Sequence, residues 1–150
     1  MSVTFRAATP GDVAAVVALL RDDALGAARE GADEATYRAA FDAMQSEAAN
    51  HLIVGDLEGR IVATYQITFI SGLSLRATRR AQIESVRVAS DLRGQRIGEA
   101  LFADAEARAR AAGCGLIQLT TNASRDRARA FYERLGFAPT HIGYKRDLGE

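Results

Sequence analysis

Residues 93–98 combine two arginines and two glycines at a point where a predicted strand leads into a predicted helix. Upstream, residues 82–88 are rich in β-branched side chains and alternate roughly between polar and apolar, which predicts a strand. Downstream, apolar residues recur at helical spacing from Ile97. The first N–H groups of a helix lack intrahelical partners, and its dipole is positive at that end. Because Gly94 and Gly98 permit close backbone approach and arginine suits phosphate, the segment predicts a phosphate-binding turn.

An ordinary strand-to-helix turn with solvated arginines would have the same composition, so this pattern alone leaves two interpretations. A second segment helps to choose between these two interpretations. Asn122 is followed six residues later by the run Ala-Arg-Ala-Phe-Tyr-Glu-Arg-Leu-Gly-Phe at 128–137. Two motifs in a fixed order are more specific than either one by itself.

Together the two motifs resemble those of the GCN5-related N-acetyltransferase (GNAT) superfamily. The loop Arg-Gly-Gln-Arg-Ile-Gly at 93–98 is similar to its Arg/Gln-x-x-Gly-x-Gly/Ala loop, and the second segment is similar to its Asn…Ala-x-x-Phe-Tyr-x-x-x-Gly-Phe motif. The resemblance extends over essentially the whole chain and is strongest over residues 83–137. One position departs from the pattern, because Arg96 replaces the middle glycine. Positive φ would strain an arginine, so we expect a right-handed helical backbone there and an additional phosphate contact.

The resemblance implies acetyl-CoA as the cosubstrate, with its pyrophosphate at the helix start and its pantetheine arm along the central strand. A free backbone N–H of that strand would also stabilise the oxyanion that develops during acyl transfer. For Asn122, a bond to the pantetheine amide competes with an ordinary role in a turn. The residues that the resemblance assigns to coenzyme A are Val86, Arg87, Val88, Arg93, Gly94, Gln95, Arg96, Ile97, Gly98, Asn122 and Phe131.

Two further residues are candidates for acid–base catalysis by the same resemblance. Glu84 is the candidate base that takes the proton of the amine; strand alternation predicts that it shares a face with Val86, and a buried carboxylate would suit this task. Tyr132 is the candidate acid for the leaving thiolate, while Phe131 beside it is expected to fill the core. The alternatives are a strand-end glutamate paired with an arginine, and an amphipathic core tyrosine.

Composition and charge limit the other function classes. A chain of 150 residues is expected to form one domain, 1–150, and its formal net charge of +0 attracts neither nucleic acid nor a membrane. The single cysteine, Cys114, cannot form an internal disulfide. His51 and His141 share no ligand spacing with it, so we predict no metal site. With no long apolar run and no signal peptide, the sequence predicts a soluble cytoplasmic protein.

The remaining pattern predicts an α/β fold, and the resemblance implies a GNAT-like mixed, mostly antiparallel sheet flanked by helices on both faces. A first helix starts at Thr9-Pro10-Gly11-Asp12, and a second runs from Gly31 with an Asp33 cap. A third helix follows the central strand, and a last one is capped by Ser124 or Asn122 and ended by Gly136. The predicted strands are 3–7, 51–57, 61–70, 82–88, 115–121, 137–139 and 142–148, with a turn at Glu58-Gly59 between the second and the third.

The predicted function is acetyl-CoA-dependent transfer of an acetyl group to a primary amine of a small molecule. The long hairpin and the ten-residue step from Asn122 to Tyr132 resemble those of bacterial aminoalkylphosphonate acetyltransferases, so the acceptor is expected among aminophosphonates or antibiotic-like amines. A non-catalytic acyl-CoA-binding or regulatory module, and a protein or peptide N-acetyltransferase, remain as alternatives. A homodimer through the terminal strands is a further expectation from the resemblance.

Overall fold

A five-stranded sheet forms the centre of the molecule. The computed structural model describes residues 2–22, 26–27 and 30–149. The strands are β1 (Thr4–Ala7), β2 (Asn50–Leu57), β3 (Arg60–Ile70), β4 (Arg80–Val88) and β5 (Leu116–Leu119). They lie in sequential order, and all neighbours are antiparallel except β4 and β5, which are parallel.

Helices cover both faces of this sheet. They are α1 (Val13–Arg21), α2 (Glu34–Ser46), α3 (Ile97–Ala111) and α4 (Asp126–Arg134). Tyr65 of β3 points to α3, where its hydroxyl donates to Asp104, while its neighbours Thr64 and Gln66 line a cavity under α1 and α2. The predicted α/β class and the mixed sheet between two helical layers are therefore confirmed.

The first helix starts as its sequence predicts. The Thr9 N–H donates to the Asp12 carboxylate at 2.8 Å, and the Asp12 N–H donates to the Thr9 carbonyl at 2.9 Å, so each satisfies the other. Pro10–Asp12 forms a 3-10 turn before α1 begins. Arg6 of β1 reaches Asp12 at 2.7 Å and Asp56 at 3.2 Å, and its guanidinium lowers the pKa of Asp12 to about 2. This ion-pair group fixes the start of α1 to the edge of the sheet.

The second helix begins at Glu34, three residues later than predicted, and Asp33 caps it by accepting from the Thr36 N–H at 2.9 Å. The predicted cap of the last helix is wrong, because Arg125 occupies the cap position of α4 and makes no side-chain cap there. Asn122 instead closes the turn just before the helix, with Oδ1 accepting from the Ser124 N–H at 3.0 Å.

The β2–β3 hairpin turns at Glu58 and Gly59, as predicted. Both residues have positive φ, 51° and 90°, which is the backbone of the two-residue turn that suits twisted antiparallel strands. Gly55 of β2 lies where there is no room for a side chain. A Cβ there would lie 2.9 Å from Val3 Cγ1 and 3.0 Å from both Ala63 Cβ and Phe5 Cε1.

The predicted last strands are wrong, because no strand follows β5 in the described part of the chain. Ile142, Tyr144 and Leu148 are 80%, 90% and 85% exposed. Gly143 nonetheless approaches the end of β5, since a Cβ there would lie 3.9 Å from Thr120 Cγ2. Alternating apolar residues express only a tendency towards extended backbone, and a strand also needs a hydrogen-bonding partner. Among the described residues, no helix is long and apolar enough to cross a membrane.

We predict that Gly55→Ala lowers the free energy of unfolding by about 1–3 kcal/mol, because the added methyl group overpacks a closed contact between two strands. Urea denaturation measures the change. Gly31→Ala is the matched control, since nothing lies within 4 Å of the added Cβ, and it is expected to change stability by less than about 0.5 kcal/mol. Equal effects of the two substitutions would contradict the packing around Gly55.

Candidate active site

A β-bulge in the central strand β4 sets the geometry of the site. Arg87 pairs with Thr64 and Glu84 pairs with Gln66, so Ser85 and Val86 together face the single residue between Thr64 and Gln66 on β3. Ser85 has left-handed backbone, with φ of 54°. The extra residue shifts the alternation of side chains between the two faces of the strand.

The bulge corrects one prediction about Glu84. Glu84 lies opposite Gln66 and so on the face of α1 and α2, whereas Val86 packs on the core cluster that contains Tyr65. The two residues therefore do not share a face, because the two-residue period fails across a bulge. Glu84 is also exposed rather than buried, and within the described chain it forms no ion pair.

Just before the bulge, β4 separates from β5. The parallel pairing covers Arg80 to Ile83, and β5 ends at Leu119 opposite Ile83. From Glu84 to Val88 no strand of the described chain pairs with that side of β4, which is therefore an open edge of the sheet. Val86, Arg87 and Val88, predicted to bind pantetheine, lie along this open edge.

The open edge leads directly to the Arg/Gly turn. Leu92 and Ile97 are buried at either end of the turn, while residues 93–96 are exposed. Gly94 has φ of 85°, and Arg96 has φ of 61° and ψ of 20°. The right-handed backbone predicted at Arg96 is therefore wrong. The two buried anchors hold the turn so tightly that the arginine adopts the conformation for which a glycine is better suited.

Positive charge surrounds the start of α3. In the part of the chain that the structure describes, Arg93 and Arg96 make no ion pair, and no side chain caps the helix. The unpaired N–H groups and the two guanidinium groups can therefore both be directed at an anion. Gln95 lies between them on the exposed turn.

Gly98 has a packing role that the sequence did not indicate. A Cβ at Gly98 would lie 3.1 Å from Cζ of Phe131, so the missing side chain makes room for the aromatic ring of α4. Phe131 is part of a cluster with Phe102, whose ring centroid lies 6.0 Å away. Phe131, which was predicted to contact coenzyme A, thus packs α4 against the first turn of α3.

Tyr132 is held by the way in which its helix ends. Gly136 has φ of 96°; its N–H donates to the Glu133 carbonyl, and the Phe137 N–H donates to the Tyr132 carbonyl, both at 3.1 Å. This is the Schellman pattern, which the ring contact between Phe137 and Tyr132 accompanies at 6.2 Å. Gly136 ends the helix as predicted, and the Gly-Phe pair of the motif fixes the position of the tyrosine.

The electrostatic environment of Tyr132 keeps its hydroxyl protonated. Burial raises the pKa of Tyr132 above its usual value, while the positive charges of Arg125 and Arg87 act in the opposite direction. The structure therefore brings Tyr132 of α4 near Arg87 of β4, two residues predicted for the same site from different motifs. A protonated phenol beside a cleft is able to donate a proton to an anion.

Asn122 has the turn role that was one of its two predicted roles. Its Oδ1 also accepts from the Ser124 hydroxyl at 2.6 Å, so this oxygen is used within the turn. No hydrogen bond within the described residues engages its amide nitrogen.

A cavity of about 120 Å³ lies on the other side of the bulge. It is lined by side chains of α1, α2 and β2 and, on the sheet, by Thr64, Gln66 and Ser85. Tyr37, Phe41 and Met44 of α2 all line this cavity, and their helical spacing in the sequence is typical of one helix face. The sequence did not indicate Gln66 and Ser85, because the bulge that turns Ser85 into the cavity has no signature in the strand pattern. Among the described residues, no cluster of three or more potential metal ligands occurs.

The structure is a mixed sheet with helices on both faces, in which the open edge of β4 leads to a cationic helix start. This combination is that of the coenzyme A-dependent acyltransferases. Comparison with known families agrees. A sequence profile of the acetyltransferase (GNAT) family matches residues 14–137, and the chain belongs to this family. The predicted membership, and the predicted class of enzyme at the level of the family, are thus confirmed.

Three relatives illustrate the similarity. The chain is 40% identical over 67 residues to the aminoalkylphosphonate N-acetyltransferase of Salmonella typhimurium, a match that spans 45% of the chain and 44% of that protein. A solved structure described as a transcriptional regulator from Bacillus halodurans C-125 is 42% identical, with a TM-score of 0.93, covering 97% of the chain and 99% of that structure. A provisionally assigned acetyltransferase from Agrobacterium tumefaciens C58 is 27% identical, with a TM-score of 0.85 and coverage of 96% and 99%.

We predict that Arg96→Gly is more stable than Arg96→Ala by about 1 kcal/mol in urea denaturation, because only glycine removes the cost of left-handed backbone. Both variants lose the guanidinium, so the difference reports the backbone alone. The pair Gln95→Gly and Gln95→Ala is the control, since Gln95 is not among the residues with positive φ; there alanine is expected to equal or exceed glycine. The same order at both positions would contradict the left-handed turn.

Proposed function

We propose that the protein is an acetyl-CoA-dependent N-acetyltransferase that transfers acetyl directly to a primary amine of a small molecule. The observation that carries this proposal is the continuity between the open edge of β4 and the cationic start of α3. A thioester substrate with an amide-bearing arm and a pyrophosphate needs both features in that order.

Backbone groups of Val86, Arg87 and Val88 bind the pantetheine amides in this proposal, as an added strand would. The N–H groups of α3, with Arg93 and Arg96, bind the pyrophosphate. Gly94 lets the backbone of the turn approach the pyrophosphate, because it has no side chain and no protein atom lies within 4 Å of the position that a Cβ would occupy. The Asn122 amide nitrogen supplies one further donor at the cleft.

Glu84 and Tyr132 have the proposed catalytic roles. The amine nitrogen forms a bond to the thioester carbonyl carbon, the carbon–sulfur bond breaks, and the sulfur leaves as a thiolate. Glu84, directly or through water, accepts the proton that the amine loses, and its exposure on the cavity side of β4 leaves it accessible to an acceptor. Tyr132, whose hydroxyl is protonated at neutral pH, donates a proton to the thiolate.

The acceptor class is proposed from the relatives and the sequence together. The partial similarity to an aminoalkylphosphonate N-acetyltransferase supports a small amine, either an aminophosphonate or an antibiotic-like compound. A peptide or protein acceptor is the alternative within the same chemistry.

A second candidate function is a non-catalytic acyl-CoA-binding regulatory module. It is favoured by one observation, the description of the 42% identical Bacillus halodurans protein as a transcriptional regulator. The two candidates share the donor site and differ at Glu84 and Tyr132, which a pure sensor does not need.

We also propose that the chain, as one domain over residues 1–150, acts in the cytoplasm as a homodimer. The exposed Ile142 and Tyr144 flank Gly143, which approaches Thr120 just after β5, and together with the exposed Leu148 they suit contact with a second copy. Light scattering of the protein in solution measures its mass and would return the monomer mass if this were wrong.

The experiment is a thiol-release assay with acetyl-CoA against small amines, aminophosphonates and peptides. We expect turnover on small amines, with Glu84→Gln and Tyr132→Phe each reducing kcat by about 10-fold to 1,000-fold while acetyl-CoA affinity stays within about twofold. Glu106→Gln is the matched control for Glu84→Gln, because Glu106 is exposed on α3, where it pairs with Arg110. Tight binding of acetyl-CoA without turnover of any acceptor would favour the regulatory module.

A further inference from the structure

The cavity beside the β4 bulge has an apolar interior. Of its twelve lining residues none is charged, and the polar ones are Tyr37, Thr64, Gln66 and Ser85. The remaining lining residues are Val13, Val16, Val17 and Leu20 of α1, Ala40, Phe41 and Met44 of α2, and Leu52 of β2. The cavity therefore offers an apolar wall on three sides and polar groups mainly on the sheet.

Most of these polar groups are already engaged within the protein. The Thr64 hydroxyl donates to the Ile53 carbonyl at 2.9 Å, and the Gln66 amide nitrogen donates to Asn50 Oδ1 at 2.9 Å. The Tyr37 hydroxyl donates to a Glu30 carboxylate oxygen at 3.4 Å. The acceptor oxygen of Gln66 and the hydroxyl of Ser85 have no hydrogen bond within the described chain. Both belong to the sheet side, next to the strand position of Glu84.

We infer that this cavity selects the acceptor, and that the acceptor is a primary amine whose carbon chain carries a compact apolar group. The apolar group lies between α1 and α2, and the amine points to Gln66 and Ser85, where Glu84 can take its proton. The inference rests on the proposed function and narrows its acceptor class, since it favours apolar amines over the aminophosphonates.

Charge and size both support this class. Placing a phosphonate inside the cavity would leave a charge without a counterion, which is strongly unfavourable in apolar surroundings. An alkyl group meets no such cost, and an anionic group of the acceptor must stay outside the cavity. Because an apolar cavity of about 150 Å³ admits benzene, one of about 120 Å³ suits roughly four or five carbon atoms.

The test is a series of unbranched primary amines from ethylamine to octylamine, with 2-aminoethylphosphonate beside them, in the thiol-release assay. These alkylamines have nearly the same basicity, so a trend in kcat/KM reports binding of the chain. We expect kcat/KM to rise about threefold per methylene up to roughly five carbons and then to fall.

Two substitutions test whether the cavity causes the dependence of kcat/KM on chain length. Ala40→Leu fills the mouth of the cavity and is expected to lower kcat/KM for pentylamine at least about 10-fold relative to ethylamine. Ala43→Leu is the control, since this exposed alanine lies on the same helix but does not line the cavity. It should leave the whole series unchanged.

The outcomes of this test distinguish the apolar acceptor class from the proposed transferase function. Turnover that is flat in chain length, or equal effects of Ala40→Leu and Ala43→Leu, would overturn the apolar acceptor while leaving the transferase intact. The same holds if 2-aminoethylphosphonate were a far better substrate than every alkylamine. Failure to acetylate any amine of the series or of the wider panel would overturn the proposed function and this inference together.

Discussion

Backbone hydrogen bonding along β4 is the constraint on which the rest of the site depends. The strand is paired on both sides as far as Ile83 and on one side afterwards. An edge that no neighbouring strand covers can add a further extended chain, so this side of β4 is suited to a ligand with amide groups of its own. The bulge at Ser85 comes directly after this point and divides the strand into a donor side and a cavity side. In the proposed function, this one irregularity places the donor and the acceptor on opposite sides of a single strand.

Aromatic packing then fixes the second motif to the first. Phe102 of α3 contacts the rings of Phe131, Tyr132 and Phe137 at centroid distances of 5.6–6.0 Å. Phe131 reaches Gly98 at the start of α3, which a larger residue would prevent. The spacing of Gly98, Phe131 and Gly136 in the sequence is therefore a packing requirement, and it carries Tyr132 to the cleft near Arg87.

The sequence predicted most of the elements, because helical and alternating periodicities and the turn residues Gly59 and Gly136 determine them locally. It failed where tertiary structure overrides local preference. Arg96 is left-handed because buried Leu92 and Ile97 fix the turn around it, and Glu84 lies on the opposite face from Val86 because a bulge between them shifts the period. The apolar residues near the C-terminus predicted a strand whose pairing partner the described chain does not supply. The cavity could not be predicted, since five separate elements form it.

Hydrogen–deuterium exchange with and without acetyl-CoA reports on the backbone groups that bind the donor in the proposed function. We expect slower exchange in residues 86–98, at the end of β4 and the start of α3, with β1 and β2 unchanged. Unchanged exchange in residues 86–98 at saturating acetyl-CoA, or protection confined to α1 and α2, would show that the donor does not bind along this edge.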